Sequence, residues 1–238
     1  TASQTLTGLA PGSYSVTAAP VAGTLYAFAG PATPPSAQVT AGGTATVTVT
    51  YAASSGGLHV VNVGLPGGLL PSVQLAGPGG FTQTLTASTT LTNLAPGSYT
   101  VTAPVASDVG IGYAATSGAT EVAAGATAAR TVTYALAVNA RSTADRTDDS
   151  ALPQVKFLYV LPSDAADRTF DTDRTIHRTV SSWQRWFAGQ AAGRRFRLDT
   201  FQGALDIAFV RLGRTEAQYA GYGITMRERH DLPVYHAD

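Results

Sequence analysis

Cysteine is absent from the 238 residues, which excludes disulfides, thiolate metal sites and a cysteine nucleophile. Charge is scarce at 13%, about half the usual share of a soluble domain. Acidic and basic residues balance at 15 each, which removes any bulk attraction to nucleic acid or anionic lipid. No apolar run approaches the roughly 18 residues of a membrane-spanning helix. No basic, apolar, small-residue leader follows Thr1; the expectation is a mature product or a piece of a longer protein, any signal peptide lying upstream. What is present is an ordinary 44% of hydrophobic residues, sufficient for packed cores. At roughly 150 residues per domain the length allows one to three domains.

Composition changes along the chain. Up to Leu136 the charged side chains are Asp108, Glu121 and Arg130; from Ala137 onward there are 14 basic and 13 acidic residues. Nineteen of the 25 glycines and 10 of the 13 prolines fall in the first part, and both tryptophans, Trp183 and Trp186, in the second. Two kinds of domain are therefore expected, with residues 137–153, polar and without periodicity, as the linker between them.

The first part repeats. Leu9-Ala-Pro-Gly-Ser-Tyr-Ser-Val-Thr-Ala18 returns as Leu94-Ala-Pro-Gly-Ser-Tyr-Thr-Val-Thr-Ala103, at an offset of 85. Ala41-Gly-Gly-Thr-Ala-Thr-Val-Thr-Val-Thr-Tyr51 returns as Ala124-Gly-Ala-Thr-Ala-Ala-Arg-Thr-Val-Thr-Tyr134, at 83. A repeat of this length is a small domain in itself rather than a solenoid unit. Thr46, Thr48 and Thr50 alternate with Val47, Val49 and Tyr51, the period of two that marks a strand. Pro11-Gly12, Pro96-Gly97 and Pro78-Gly79-Gly80 read as turns, since Pro presets φ and Gly accepts the positive φ that follows. Short strands between such turns predict antiparallel β-sandwiches. The second copy, residues 57–136, is expected to be complete. The first, residues 1–53, is expected to start inside its domain, about 30 residues short of its twin. Tyr14, Tyr51, Tyr99 and Tyr134 recur at equivalent positions and read as structural.

These segments, with Gly77-Pro-Gly-Gly-Phe-Thr-Gln-Thr-Leu85, resemble the immunoglobulin-like repeats of secreted bacterial proteins and are similar to PEGA, carboxypeptidase-regulatory-like and Cna-B-type sandwich modules. The resemblance implies stalks or spacers on secreted or cell-surface proteins, with other envelope or surface proteins as partners. The excess of Arg over Lys, 14 to 1, fits a high-GC bacterial source.

From residue 154 to 238 the reading is a small α/β domain of order β-α-β-β-α. Val155 to Leu161 is a continuous apolar run ended by Pro162, expected to be a buried central strand. Asp171-Thr-Asp173 offers a cap to a helix near 174–190, where Ile176, Val180, Trp183 and Phe187 form a core-facing stripe. Arg195 to Asp199 and Leu205 to Leu212 read as strands joined by a hairpin at Gln202-Gly203, and Thr215-Glu216 starts a weaker helix. The fold class expected is thus multidomain, tandem all-β immunoglobulin-like sandwiches followed by an α/β domain. The segments Val160-Leu-Pro-Ser-Asp164, Ser181-Ser-Trp-Gln-Arg-Trp-Phe-Ala-Gly-Gln190 and Arg197 to Leu212 look like the front half of a secreted zincin-like metalloprotease domain. Such a domain uses His-Glu-x-x-His to bind zinc and activate water. This sequence has no His-Glu pair, so no catalytic residue of that family is carried over.

Asp164, Asp167, Asp171 and Asp173 cluster after the first strand of this domain, where α/β sheets place ligands, and are the candidate metal ligands. The EF-hand pattern is not met, and a strand-to-helix loop with a capping carboxylate is the alternative. His230, Asp231, His236 and Asp238 are a second set of possible ligands, set against a frayed terminus. His177 and Ser181 stand four residues apart but off the apolar stripe, and are expected on a solvated face with no third group for a triad. Arg194, Arg195 and Arg197 are expected to pair across strands with Asp199 and Asp206. Trp186 is expected half-exposed, available for contact. No cofactor is implied. The two functional readings are a non-catalytic surface module and the N-terminal portion of a secreted metal-dependent peptidase whose catalytic helix lies outside this chain.

Overall fold

The computed structural model describes residues 3–220. Strand dominates and helix is scarce. The chain gathers into two compact units: one from residues up to Val63 with Leu70–Ala103 and Thr116–Thr133, the other from Gly64–Leu69, Pro104–Ala115 and the chain from Tyr134 onward.

In the first unit the second sequence copy builds two sheets. One is antiparallel, in the order Phe81–Leu85, Val73–Gly77, Gly97–Thr102, Gly118–Val122. In the other, Gly56–Val63 pairs antiparallel with Thr89–Leu94 and parallel with residues 127–133. The period of two puts one face of each strand inward. Leu58, Val60, Val73, Leu75, Leu85, Leu94, Tyr99, Val101, Val122 and Val132 are all buried. This is a β-sandwich, as the turn spacing predicts, with one difference: its first and last strands run side by side in the same direction. Their pairing closes the sandwich across about 70 residues of sequence, a link that no local pattern announces.

Of the predicted Pro-Gly turns, those at Gly79-Gly80 and Gly97 take the expected positive φ, whereas Gly12 opens a strand without it. Pro78–Gly80 makes a single 3-10 turn between two antiparallel strands, with Gly79 and Gly80 at φ 67° and 77°. Gly77 is required for another reason. A Cβ there would meet Tyr99 Cε1 at 2.3 Å, so the ring lies flat on bare backbone, edge-on to Phe81 at 5.6 Å between centroids. The Tyr99 hydroxyl donates to the Ala95 carbonyl, 3.0 Å away.

In the first copy the strands are two to four residues long, and Ala32 is the one buried hydrophobic residue described there. Of the alternating run Thr46 to Tyr51, only Thr48–Val49 pairs, with Ala32–Thr33. Tyr14 nonetheless donates to Ala10, 2.9 Å away, as Tyr99 does to Ala95. The two copies are also bonded together. Ser55, buried at the junction, accepts from the Ala27 amide at 2.7 Å, and Asn93 donates to the Leu25 carbonyl at 3.2 Å.

In the second unit Phe157–Leu161 and Ile207–Arg211 pair in parallel, and helix α1 (Thr175–Gln190) lies between them in sequence. A hairpin turns at Gln202-Gly203, both residues having positive φ, but its strands are Thr200–Phe201 and Ala204–Leu205; the expected strand Arg195 to Asp199 makes only an isolated bridge of Leu198 to Val155. Ile111, Tyr159, Val180, Leu198, Leu205 and Ile207 form the core. The apolar run 155–161 is not buried on both faces, contrary to expectation: Tyr159 points inward while Leu158 is 62% exposed. The described pairing of this strand is to a single neighbour, so alternate side chains stay outside.

Helix α1 departs further. Its buried face is His177, Val180, Ser181 and Gln184, turned by roughly 80° from the apolar stripe at 100° per residue. Gln184 explains the rotation: its amide donates to Phe196 O at 2.7 Å and accepts from Phe196 N at 3.2 Å. That fully buried side chain fixes the helix against residues 196–198, while Trp183, Phe187 and Phe196 stack along its flank with centroids 4.5–6.2 Å apart. His177 and Ser181 are therefore buried at 1% and 2% exposure, not solvated. Trp186 is 62% exposed. At the second helix, Glu216–Ala220, Thr215 and Gln218 cap each other reciprocally, the capping-box arrangement.

Candidate functional site

The polar chemistry of the second unit collects along residues 137–153. This segment runs beside the hairpin: Asn139 donates to Phe201 O, Phe209 N to Ser142 O, and Asp149 N to Thr200 O. Asp149 then accepts from the amides of Gln202 and Gly203 at 3.1 and 3.0 Å. The Gly203 bond chiefly holds its carboxyl below the usual carboxylate range. The segment read as a linker is thus bonded along its length. The residues responsible are polar and spaced irregularly, so no periodicity marks them.

Three charge groups result. In the first, Arg141 forks onto both oxygens of Asp171 at 2.6 Å each, reaches Asp167, and lies over the Phe209 ring at 4.0 Å from its centroid. Charged, bidentate hydrogen bonds of this kind are strong. Arg141, helped by the Thr169 amide, holds the Asp167 carboxyl down to about 2. Of the four aspartates singled out from sequence, Asp167 and Asp171 are brought together, on this arginine. Asp164 accepts from the Glu216 amide at 2.9 Å, and Asp173 from the Thr175 amide at 2.7 Å at the start of α1. Each of the four thus has a protein donor.

In the second group Arg146 pairs with buried Asp206 through its guanidinium and its backbone amide. Arg194, Arg195 and Arg197 are not the partners of Asp199 and Asp206. Arg197 donates to the Pro153 carbonyl instead, because the loop, not the neighbouring strand, passes within reach.

In the third, Asp145, Asp148 and Asp199 converge, one carboxylate oxygen from each lying within 4.8 Å of the others. Val155 N donates to Arg197 O and Asp199 N to Val155 O, which seats Asp199 at 2% exposure against the looping segment. Lys156 donates to Asp145 and stands 4.0 Å from Asp199 Oδ2. Asp199 Oδ1 has no hydrogen-bond partner among the described residues. Burial pushes the Asp199 carboxyl up to about 6, Asp148 adds to the shift, and Lys156 opposes it. The sequence offers little warning of this group, since Asp199 lies more than 50 residues from the other two.

Among the described residues neither ring nitrogen of His177 has a hydrogen-bond partner, nor does the Ser181 hydroxyl. Burial, then Arg174, lowers the His177 pKa, so the ring is neutral near pH 7. Among the described residues no hydrogen bond links His177 to Ser181 and no third group orients the ring, as a triad would need. His230, Asp231, His236 and Asp238 lie outside the described residues.

No described helix is long and apolar enough to cross a membrane. No protein-family model matches the chain, and no curated protein does. Among solved structures the chain is similar to GBS52, the minor pilin of Streptococcus agalactiae, at 13% identity and a TM-score of 0.30. That match covers 50% of this chain and 63% of the pilin. It is also similar to the TIE protein of Bacillus anthracis, at 17% identity and a TM-score of 0.27, over 45% of this chain and 24% of that one. The match thus spans less than two thirds of the length of either neighbour.

Proposed function

We propose that the chain is a non-catalytic structural module of a secreted or cell-surface bacterial protein, its β repeats serving as spacer or assembly domains. The carrying observation is mechanical. The first and last strands of the sandwich pair in parallel over seven residue pairs, from Thr127↔Gly57 to Thr133↔Val63. Chain enters at one end of this pair and leaves at the other, so tension along the polypeptide loads those hydrogen bonds together, in shear, rather than one after another. The bonds through Ser55 and Asn93 stiffen the joint between successive copies. A surface with Asp108, Glu121 and Arg130 as its only charges up to residue 136 suits packing against neighbours in an envelope rather than steering a charged ligand.

In this reading residues 1–53 and 57–136 are the repeated spacers, 137–153 the connecting segment and 154–238 an α/β domain that the spacers present to other envelope or surface proteins. Parallel pairing of Phe157–Leu161 with Ile207–Arg211 across α1 is also what the second reading, a peptidase scaffold completed outside this chain, calls for, and zinc-dependent proteolysis by a longer product tests that reading. Stretching single molecules of the chain by its ends tests the spacer reading. The expected record is one discrete, high-force event releasing the sandwich. Gradual extension at the low force of unzipping antiparallel hairpins contradicts it.

A further inference from the structure

Asp145, Asp148 and Asp199 carry more negative charge than their surroundings balance. Arg146 is taken by Asp206 and Asp149 by the turn amides, so these three carboxylates share Lys156 among the described residues. Two negative charges are left over when all three ionise. Asp145 and Asp148 are exposed, but Asp199 is 2% exposed and its Oδ1 is unpartnered. A buried carboxylate oxygen without a donor is costly, and in folded proteins such groups are paired or coordinate metals.

We propose that Asp145, Asp148 and Asp199 bind a divalent cation of the calcium type. The ligand atoms are all hard oxygens with no imidazole or thiolate among them, which suits calcium or magnesium rather than zinc. Oxygens around one calcium ion stand about 2.3–2.6 Å from it, so three carboxylate oxygens within 4.8 Å of one another need only a small side-chain adjustment to share one ion. Magnesium demands shorter, near-octahedral contacts, which two exposed side chains on a loop do not preset. The ion neutralises the two unbalanced charges and gives the buried Asp199 carboxylate, whose hydrogen bonding is incomplete, a further partner. Lys156, half-exposed on a flexible stem, holds the place of the ion in its absence and swings to solvent when it binds.

The test is calorimetric titration of the chelator-treated chain 1–238 with calcium chloride and, separately, magnesium chloride. The expected result is one calcium per chain with Kd of about 10⁻⁴–10⁻³ M, the range of weak protein calcium sites, and weaker magnesium binding. At ten times Kd, calcium should raise Tm by about 3–6 °C. The double variant Asp145→Asn with Asp148→Asn, both at exposed positions, should weaken binding at least about tenfold. Lys156→Met removes the competing ammonium and should tighten it. Absence of calcium binding at 10 times the upper Kd overturns the proposal. So does unchanged affinity in the double variant, which would place the ion elsewhere, or weaker binding in Lys156→Met.

Discussion

The Tyr99 hydroxyl donates to the carbonyl of Ala95, four residues upstream and 3.0 Å away, and Tyr14 makes the same bond to Ala10 at 2.9 Å. The sequence repeat Leu-Ala-Pro-Gly-Ser-Tyr is therefore a structural unit: the tyrosine ties the chain entering the Pro-Gly turn to the strand leaving it. Tyr99→Phe keeps the ring and deletes the donor, and should cost about 1 kcal/mol. Tyr14→Phe, at a more exposed bond, should cost less. Denaturant unfolding of both variants checks the order, and an equal or reversed cost denies the tyrosine this role in the second copy.

Gly77→Ala places a methyl 2.3 Å from the Tyr99 ring. The ring is fully buried and cannot yield without shifting Phe81, so a loss of about 1–3 kcal/mol is expected. Gly12→Ala, where a Cβ meets nothing within 4 Å, is the control and should change stability by less than about 0.5 kcal/mol. Thermal melts of the two variants distinguish packing from backbone entropy.

Arg141→Met removes the guanidinium from Asp171, which is 3% exposed, and leaves a buried carboxylate without its fork. A cost of about 3 kcal/mol is expected. Arg141 also holds Asp167 down to about 2. That part of the stability is present above the unfolded value of about 4 and lost as pH falls through about 2. Melts across pH 2–5 should therefore show the gap between wild type and variant narrowing toward the acid end. A constant gap contradicts the pairing.

Asp199 acts in the opposite sense. Its folded value of about 6 lies above the unfolded value of about 3.9, so the folded chain holds a proton that the unfolded chain has released. Its contribution is fully present below about pH 4 and is lost as pH rises through about 6. In chelator, Asp199→Asn should become more stable relative to wild type as pH rises from 4 to 7. A relative stability that is flat or falls across that window contradicts the burial of an unbalanced charge.

Much of the fold is written locally. Pro78-Gly79-Gly80, Gln202-Gly203 and the Thr215–Gln218 cap lie where residue chemistry alone places them, because each depends on neighbours within a few positions. The face of α1 is not legible in this way. Leucine-like periodicity at Ile176, Val180, Trp183 and Phe187 points one way, but the polar Gln184 finds both backbone partners at Phe196 and turns His177 and Ser181 inward. Site chemistry is less legible still. The aspartates that stand close in sequence each find a donor, while Asp145, Asp148 and Asp199 meet only once the segment 137–153 folds against the hairpin. Arg146 finds Asp206 across 60 residues, and no spacing rule reaches that far.

The most direct measurement of the central proposal uses antibodies raised against the chain, applied to intact cells, lysed cells and culture medium of the source organism. A surface spacer predicts that intact cells, with the medium, give the same signal as the lysate, and that external protease removes the signal from cells. Signal that appears only after lysis, and survives protease until then, contradicts it.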